Sequence, residues 1–180
     1  MNFGRVSLAA LILVAFIGVL RADDKPEAPK TDAVDFRKLK EVMPEELGGM
    51  KRTDCSGEKN KIGDMSISHV TAKFSKGDGD DAPRAEVQVM DYSNMEMAKG
   101  LSAAWTTIEI DKESDNGFEK TIKVAGNPGF ESWKKDAKHG EVQLLVGKRF
   151  IVSVQTYNVP AEQVIKLVEA LPLDKLAALK

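Results

Sequence analysis

Residues Ser75 to Arg84, SKGDGDDAPR, place three carboxylates, Asp78, Asp80 and Asp81, within four positions beside two glycines. Carboxylate oxygens at this density are the chemistry of a hard cation site, and calcium is the ion such a loop would take. The full loop template fails, because counting from Asp78 puts Ala82 where a fifth-position ligand belongs and Pro83 where a glycine must turn the chain. Gly and Asp are also the residues that tight turns recruit. The stretch therefore reads as a hairpin tip, with weak calcium binding by Asp78, Asp80 and Asp81 kept as an option.

Other reactive residues are sparse. The chain holds one cysteine, Cys55, and two histidines, His69 and His139. Zinc needs such ligands in close groups. Cys55 and His69 fall on strands expected to be adjacent, yet no third ligand is evident. Cys55 has no neighbouring histidine to activate it as a nucleophile and reads as a structural thiol. No G-x-S-x-G elbow occurs, and Ser66, Ser68 and Ser153 lie inside strands. The adjacent Glu45 and Glu46 read as a solvated pair, and VAGNPG precedes a strand, so it is no phosphate cradle. No catalytic residue and no cofactor is assigned, and the chain reads as a non-enzyme.

The elements that must position these residues are legible from periodicity. DFRKLKEVMPEEL spaces Phe36, Leu39, Val42 and Met43 for a short helix capped by Asp35 and stopped by Pro44. From Met50 the apolar period falls toward two, giving strands in MKRTDCSGE, MSISHVTAKF and RAEVQVMDY. Ser93 and Glu96 then form a capping box for a helix running through Met97, Leu101, Trp105 and Ile108. FEKTIKVA, GFESWKKD, GEVQLLV and RFIVSVQTY make four further strands, with Gly126 to Gly129 closing the first pair. Pro160 opens a last amphipathic helix through Val164, Leu167, Val168 and Leu171, and LDKLAAL follows Pro172 as a short helical turn. The expected fold is α+β: a mostly antiparallel sheet of six or seven strands with two main amphipathic helices, ordered three strands, helix, four strands, helix.

The first 22 residues place Arg5 before an apolar run from Leu8 to Leu20 and a small residue, Ala22, before Asp23. That is the layout of a secretory signal peptide, with an uncleaved anchor as the alternative. The run is shorter than the roughly 20 residues of a spanning helix, so no membrane-spanning segment is expected once it is cleaved. Residues 23–34, rich in Pro, Asp, Lys and Ala, read as a flexible tether, and 35–180 as a single domain. Cleavage takes two of 26 basic side chains and none of the 28 acidic ones, moving the net charge from −2 to about −4, which argues against nucleic acid as a partner. A single cysteine allows no internal disulfide in the periplasmic or extracellular space where the chain is expected.

The segment VAGNPGFESWKKDAKHGEVQLLVGKRFIVSVQTYNVPAEQVIKLVEAL, and more faintly PEELGGMKRTD, resembles the C-terminal half of small exported bacterial proteins of the PsbP-like class, which includes LpqN-like lipoproteins. The resemblance covers the C-terminal third. It implies a sandwich built on an antiparallel sheet and a non-enzymatic accessory or binding role. The lipid-anchoring cysteine of the lipoproteins is missing, and no functional residue carries over.

The expected function is thus a non-enzymatic exported accessory domain that binds another envelope or extracellular protein. Phe130 and Trp133, three apart at period two, fall on opposite faces of one strand, so either could be an exposed anchor for that partner. The alternative is a small-molecule carrier with a pocket between helices and sheet, lined by Met97, Leu101 and Trp105. A metal-dependent or hydrolytic enzyme is the third reading, and would need Cys55, His69 and a carboxylate to cluster.

Overall fold

The computed structural model describes residues 32–63, 65–92 and 103–179. Helix α1 (Phe36–Val42) comes first; the Asp35 carboxylate caps it by accepting from the Arg37 N–H at 2.8 Å. Strands β1 (Glu46–Leu47), β2 (Met50–Ile62), β3 (Met65–Ser75) and β4 (Arg84–Asp91) follow. Residues 103–107 are helical and form the described part of α2. Then come β5 (Asp111–Ser114), β6 (Gly117–Val124), β7 (Asn127–Lys134), β8 (His139–Val146) and β9 (Phe150–Tyr157), and finally α3 (Ala161–Glu169) and α4 (Leu173–Ala177).

All nine strands join one sheet in the order β1, β2, β3, β4, β9, β8, β7, β6, β5, antiparallel at every pairing. Two meanders, β1 to β4 and β5 to β9, therefore meet edge to edge at β4 and β9. Between them the chain passes from β4 to β5 on the far edge, five strand positions away, or about 24 Å at the usual inter-strand spacing.

This architecture corrects the expected fold class. The described chain is mostly β, a single nine-stranded sheet with short helices, rather than α+β with six or seven strands and two main helices. β1 is only two residues long, and β5, DKES, is exposed along its whole length, so neither carries a hydrophobic alternation. The helix expected from Ser93 falls mostly outside the described residues, along with Glu96, Met97 and Leu101. The turn between β6 and β7 is also displaced. Ala125 and Gly126, at φ of 47° and 81°, form a two-residue turn, and Asn127, Pro128 and Gly129 already belong to β7.

Alternation fixes the two faces of the sheet. Val70, Ala72 and Phe74 of β3, Ala85, Val87 and Val89 of β4, Val152 and Val154 of β9, and Val142, Leu144 and Val146 of β8 are all buried on one face. Register puts Val87, Val154 and Val142 side by side. Leu39 of α1, Val164, Leu167 and Val168 of α3, and Leu173 and Leu176 of α4 belong to the same buried cluster. Gly140 lets α3 approach: a Cβ there would stand 2.7 Å from both a Val164 methyl and the Thr156 hydroxyl. Toward β6 the same face turns polar, where the buried Glu131 carboxylate pairs with the Lys120 ammonium at 3.1 Å. Among the described residues no helix is long and apolar enough to cross a membrane.

Candidate functional site

β4 presents Ala85, Val87, Val89 and Asp91 to the core in strict alternation, so its last core-facing residue is a carboxylate with no exposed surface. A buried charge must be paired and hydrogen-bonded to be tolerated. Arg149, in the turn between β8 and β9, meets it with two N–H donors, Nε to Oδ1 at 2.9 Å and Nη2 to Oδ2 at 2.8 Å. The Val34 N–H donates to Oδ2 at 2.7 Å, and Arg149 Nη2 also reaches the Asp32 carbonyl at 3.3 Å. Residues 32–34 are thereby strapped across the sheet. The Ala33 N–H donates to Ser66 Oγ at 2.8 Å, the Ser66 hydroxyl donates to the Asp32 carboxylate, and Lys59 donates to that carboxylate at 3.1 Å and to the Ala33 carbonyl. Ala33 and Val34 are buried, so packing begins inside the stretch whose composition suggests a tether.

The clamp holds its charges by mutual pairing. Both Asp91 oxygens accept from fixed donors, which hold the carboxylate in place. The Ser66 hydroxyl, then Lys59, outweigh desolvation and hold the Asp32 carboxyl down at about 2. Ser68, opposite Asp91 in the register, is fully buried, and its hydroxyl has no partner among the described residues.

The opposite face is open over part of its area and closed at Leu145, which is buried in an apolar row with Met90 and Ile151. Here Glu86 and Gln88 of β4, Ser153 and Gln155 of β9, and Glu141 and Gln143 of β8 are all half-exposed. Glu86, Gln155 and Glu141 are cross-strand neighbours in one row, and Gln88, Ser153 and Gln143 in the next. Each glutamine two residues past a glutamate donates back to it, Gln88 Nε2 to Glu86 Oε1 at 2.7 Å and Gln143 Nε2 to Glu141 Oε1 at 2.9 Å. Beyond the first row stand Arg84, Tyr157 and His139. The Tyr157 ring is 44% exposed, stacks on His139 at 4.7 Å between centroids and donates its hydroxyl to Gln155 Oε1 at 3.3 Å. His139 is held by a 2.9 Å bond between Nδ1 and the Thr156 carbonyl, an acceptor, which places the proton on Nδ1. A groove of about 280 Å³ opens here, lined by Thr53, Lys73, Ser75, Arg84, Glu86 and Tyr157 with the strand backbone at Phe74 and Ala85. A bulge in β2 between Arg52 and Asp54 carries Thr53 to its rim.

Neither a family model, nor a curated protein, nor a solved structure matches the chain.

The residues singled out by sequence fall as follows. Asp78, Asp80 and Asp81 are exposed at the tip between β3 and β4. Arg84 Nη2 donates to the Gly79 and Asp80 carbonyls at 2.9 and 3.0 Å, and the Asn158 amide to the Asp80 carbonyl at 3.2 Å. The loop is thus tied down by protein donors. Among the described residues no group of three or more His, Cys, Asp or Glu is arranged to hold a metal ion. Cys55 pairs with Ala72 and packs on the core face, whereas His69 points to the open face, 3.7 Å from Glu58, so the two are separated by the sheet. Phe130 and Trp133 do take opposite faces, and both are half-buried. Trp133 faces the core, half-buried, and donates its indole N–H to the Val159 carbonyl at 3.3 Å. Phe130 meets the edge of Trp105 from α2, itself buried, at 5.1 Å. Both rings are thus engaged within the fold, and neither is fully exposed. Between helices and sheet, the crevice lined by Val42, Met43, Val87, Val89, Val152 and Leu171 to Leu173 holds about 10 Å³, scarcely one water.

The clamp makes two predictions. Asp91→Ala leaves Arg149 uncompensated and costs about 3–5 kcal/mol, whereas Ser68→Ala removes an unpaired hydroxyl and leaves stability unchanged or raised; urea denaturation of both variants reads the contrast, and equal losses would refute it. The Asp32 carboxyl has its pKa depressed on folding, so its contribution is complete above its ordinary value near 3.8 and is lost as pH falls through about 2. An NMR titration will show the Ala33 amide leaving its native shift in that window, and Ser66→Ala will move the midpoint upward; a midpoint left at about 2 in that variant would remove Ser66 as the cause.

Proposed function

We propose that the chain is an exported, non-catalytic binding domain whose working surface is the open sheet face around Tyr157. One observation carries this: on the core face the crevice beneath α1 and α4 has room for about one water, while the opposite face presents ordered rows of hydrogen-bonding side chains beside a groove of about 280 Å³. The crevice beneath α1 and α4 is too small for a carrier's ligand, since such sites need several hundred Å³, whereas the carrier pocket expected at Met97 and Leu101 lies outside the described residues. The separation of Cys55 from His69 weighs against a metal-dependent enzyme. Export rests on the leader layout of residues 1–22, and the accessory role also fits the PsbP-like resemblance.

The test combines processing with contact mapping. The chain recovered from outside the cytoplasm of a cell that makes it is expected to begin at Asp23. A photo-crosslinking residue at Gln88, on the open face, should give covalent adducts there, while one at Glu162, on the outer side of α3, should not. Adducts from Glu162 and none from Gln88 would overturn the assignment of the working face, and a chain retained in the cytoplasm would overturn export.

A further inference from the structure

The open face has a chemical character that narrows its ligand. Its rows are built from planar carboxylates and amides, each pair pre-set by an internal bond that keeps one Glu oxygen and the Gln carbonyl available. Rigid strands hold these groups at fixed intervals, about 4.8 Å across the sheet and about 6.8 Å along each strand. Such a lattice suits a ligand that offers hydroxyls at regular spacing. Charge on the patch balances, with Lys73 and Arg84 against Glu86 and Glu141, so neither a polyanion nor a polycation is favoured. The next row is apolar, Met90, Ile151 and Leu145, but Leu145 is buried and Met90 and Ile151 are half-buried. The exposed large hydrophobics among the described residues are Ile62, Ile108 and Tyr157, and only Tyr157 borders the rows. Its ring is held by His139 and Gln155, an exposed flat platform against which the C–H face of a sugar can stack. β4, β9 and β8 together span roughly 10 Å, the length of a two-ring unit in an extended glycan, and Trp105 over Phe130 bounds the rows on the β7 side.

We propose that the open face binds a neutral, hydroxyl-rich carbohydrate chain, with Tyr157 as its stacking platform and Glu86, Gln88, Glu141, Gln143 and Gln155 as its hydrogen-bonding groups. The proposal rests on the reading of this face as the working surface.

The experiment is an NMR titration of the chain from Asp23 onward with four soluble neutral hexasaccharides, cellohexaose, chitohexaose, xylohexaose and mannohexaose, with polygalacturonate as the anionic control. Support is a shift of the side-chain amides of Gln88, Gln143 and Gln155 by at least one neutral hexasaccharide. Tyr157→Ala should weaken that binding about tenfold or more with unchanged thermal midpoint, and Tyr157→Trp should retain it. Binding of polygalacturonate alone, shifts confined to α3 and α4, an unaffected Tyr157→Ala variant, or no shift from any of the four sugars would overturn it. Should the sugars fail while the crosslinker at Gln88 captures a protein, the carbohydrate assignment falls and the working face stands; failure of both removes both.

Discussion

Everything in this molecule hangs on how the buried carboxylate of Asp91 is paid for. It sits where two meanders that are remote in sequence join into one sheet, at the end of β4 and beside the turn that enters β9. Arg149 brings its bidentate donor from the second meander, and Val34 brings a backbone N–H from the segment that precedes the domain. Three parts of the chain thus share one charge. A slip of β4 against β9 by one residue would carry Asp91 to the open face and Val87 and Val89 with it, so the ion pair and the valine rows specify the same register. An apolar substitute for the pair could be as stable, but it would not fix direction and register together.

The asymmetry of the two faces follows. One face spends its apolar residues on α1, α3 and α4, and Gly140 allows α3 to lie close enough that almost no space remains. With that side closed, recognition falls to the other, where Glu, Gln and Ser fill two rows beside an apolar row of Met90, Ile151 and Leu145. The edges of the sheet are less inviting. β5 is four residues long, charged and exposed, the usual means by which an edge avoids pairing with strangers.

Much of the strand set was legible in the sequence because period-two alternation is a direct record of a face buried on one side. RAEVQVMD shows it most clearly, and the same pattern contained the clue to the clamp: Asp91 shares parity with Ala85, Val87 and Val89, and a carboxylate on an apolar face requires a partner. Arg149 could not be named from sequence, since it lies 58 positions away in a turn. β1 escaped because two residues are too few to show alternation, β5 because a strand that buries nothing leaves none, and the fold class was misjudged with them. Phe130 and Trp133 were placed correctly on opposite faces, but whether a face is covered depends on what crosses it. The open-face rows were invisible for a similar reason: Glu86, Gln155 and Glu141 become neighbours only through a pairing between two separate meanders.

The seam between β4 and β9 joins the two meanders into one sheet and is locked as firmly as either of them. Native-state hydrogen exchange tests it most directly. The seam amides of β4 and β9 and the Val34 N–H are expected to exchange only through global unfolding, with free energies matching those of the β8 and β9 pairing. Exchange of the seam amides through a lower-energy opening that leaves β2 with β3 and β8 with β9 protected would contradict it, showing two meanders that merely lie side by side.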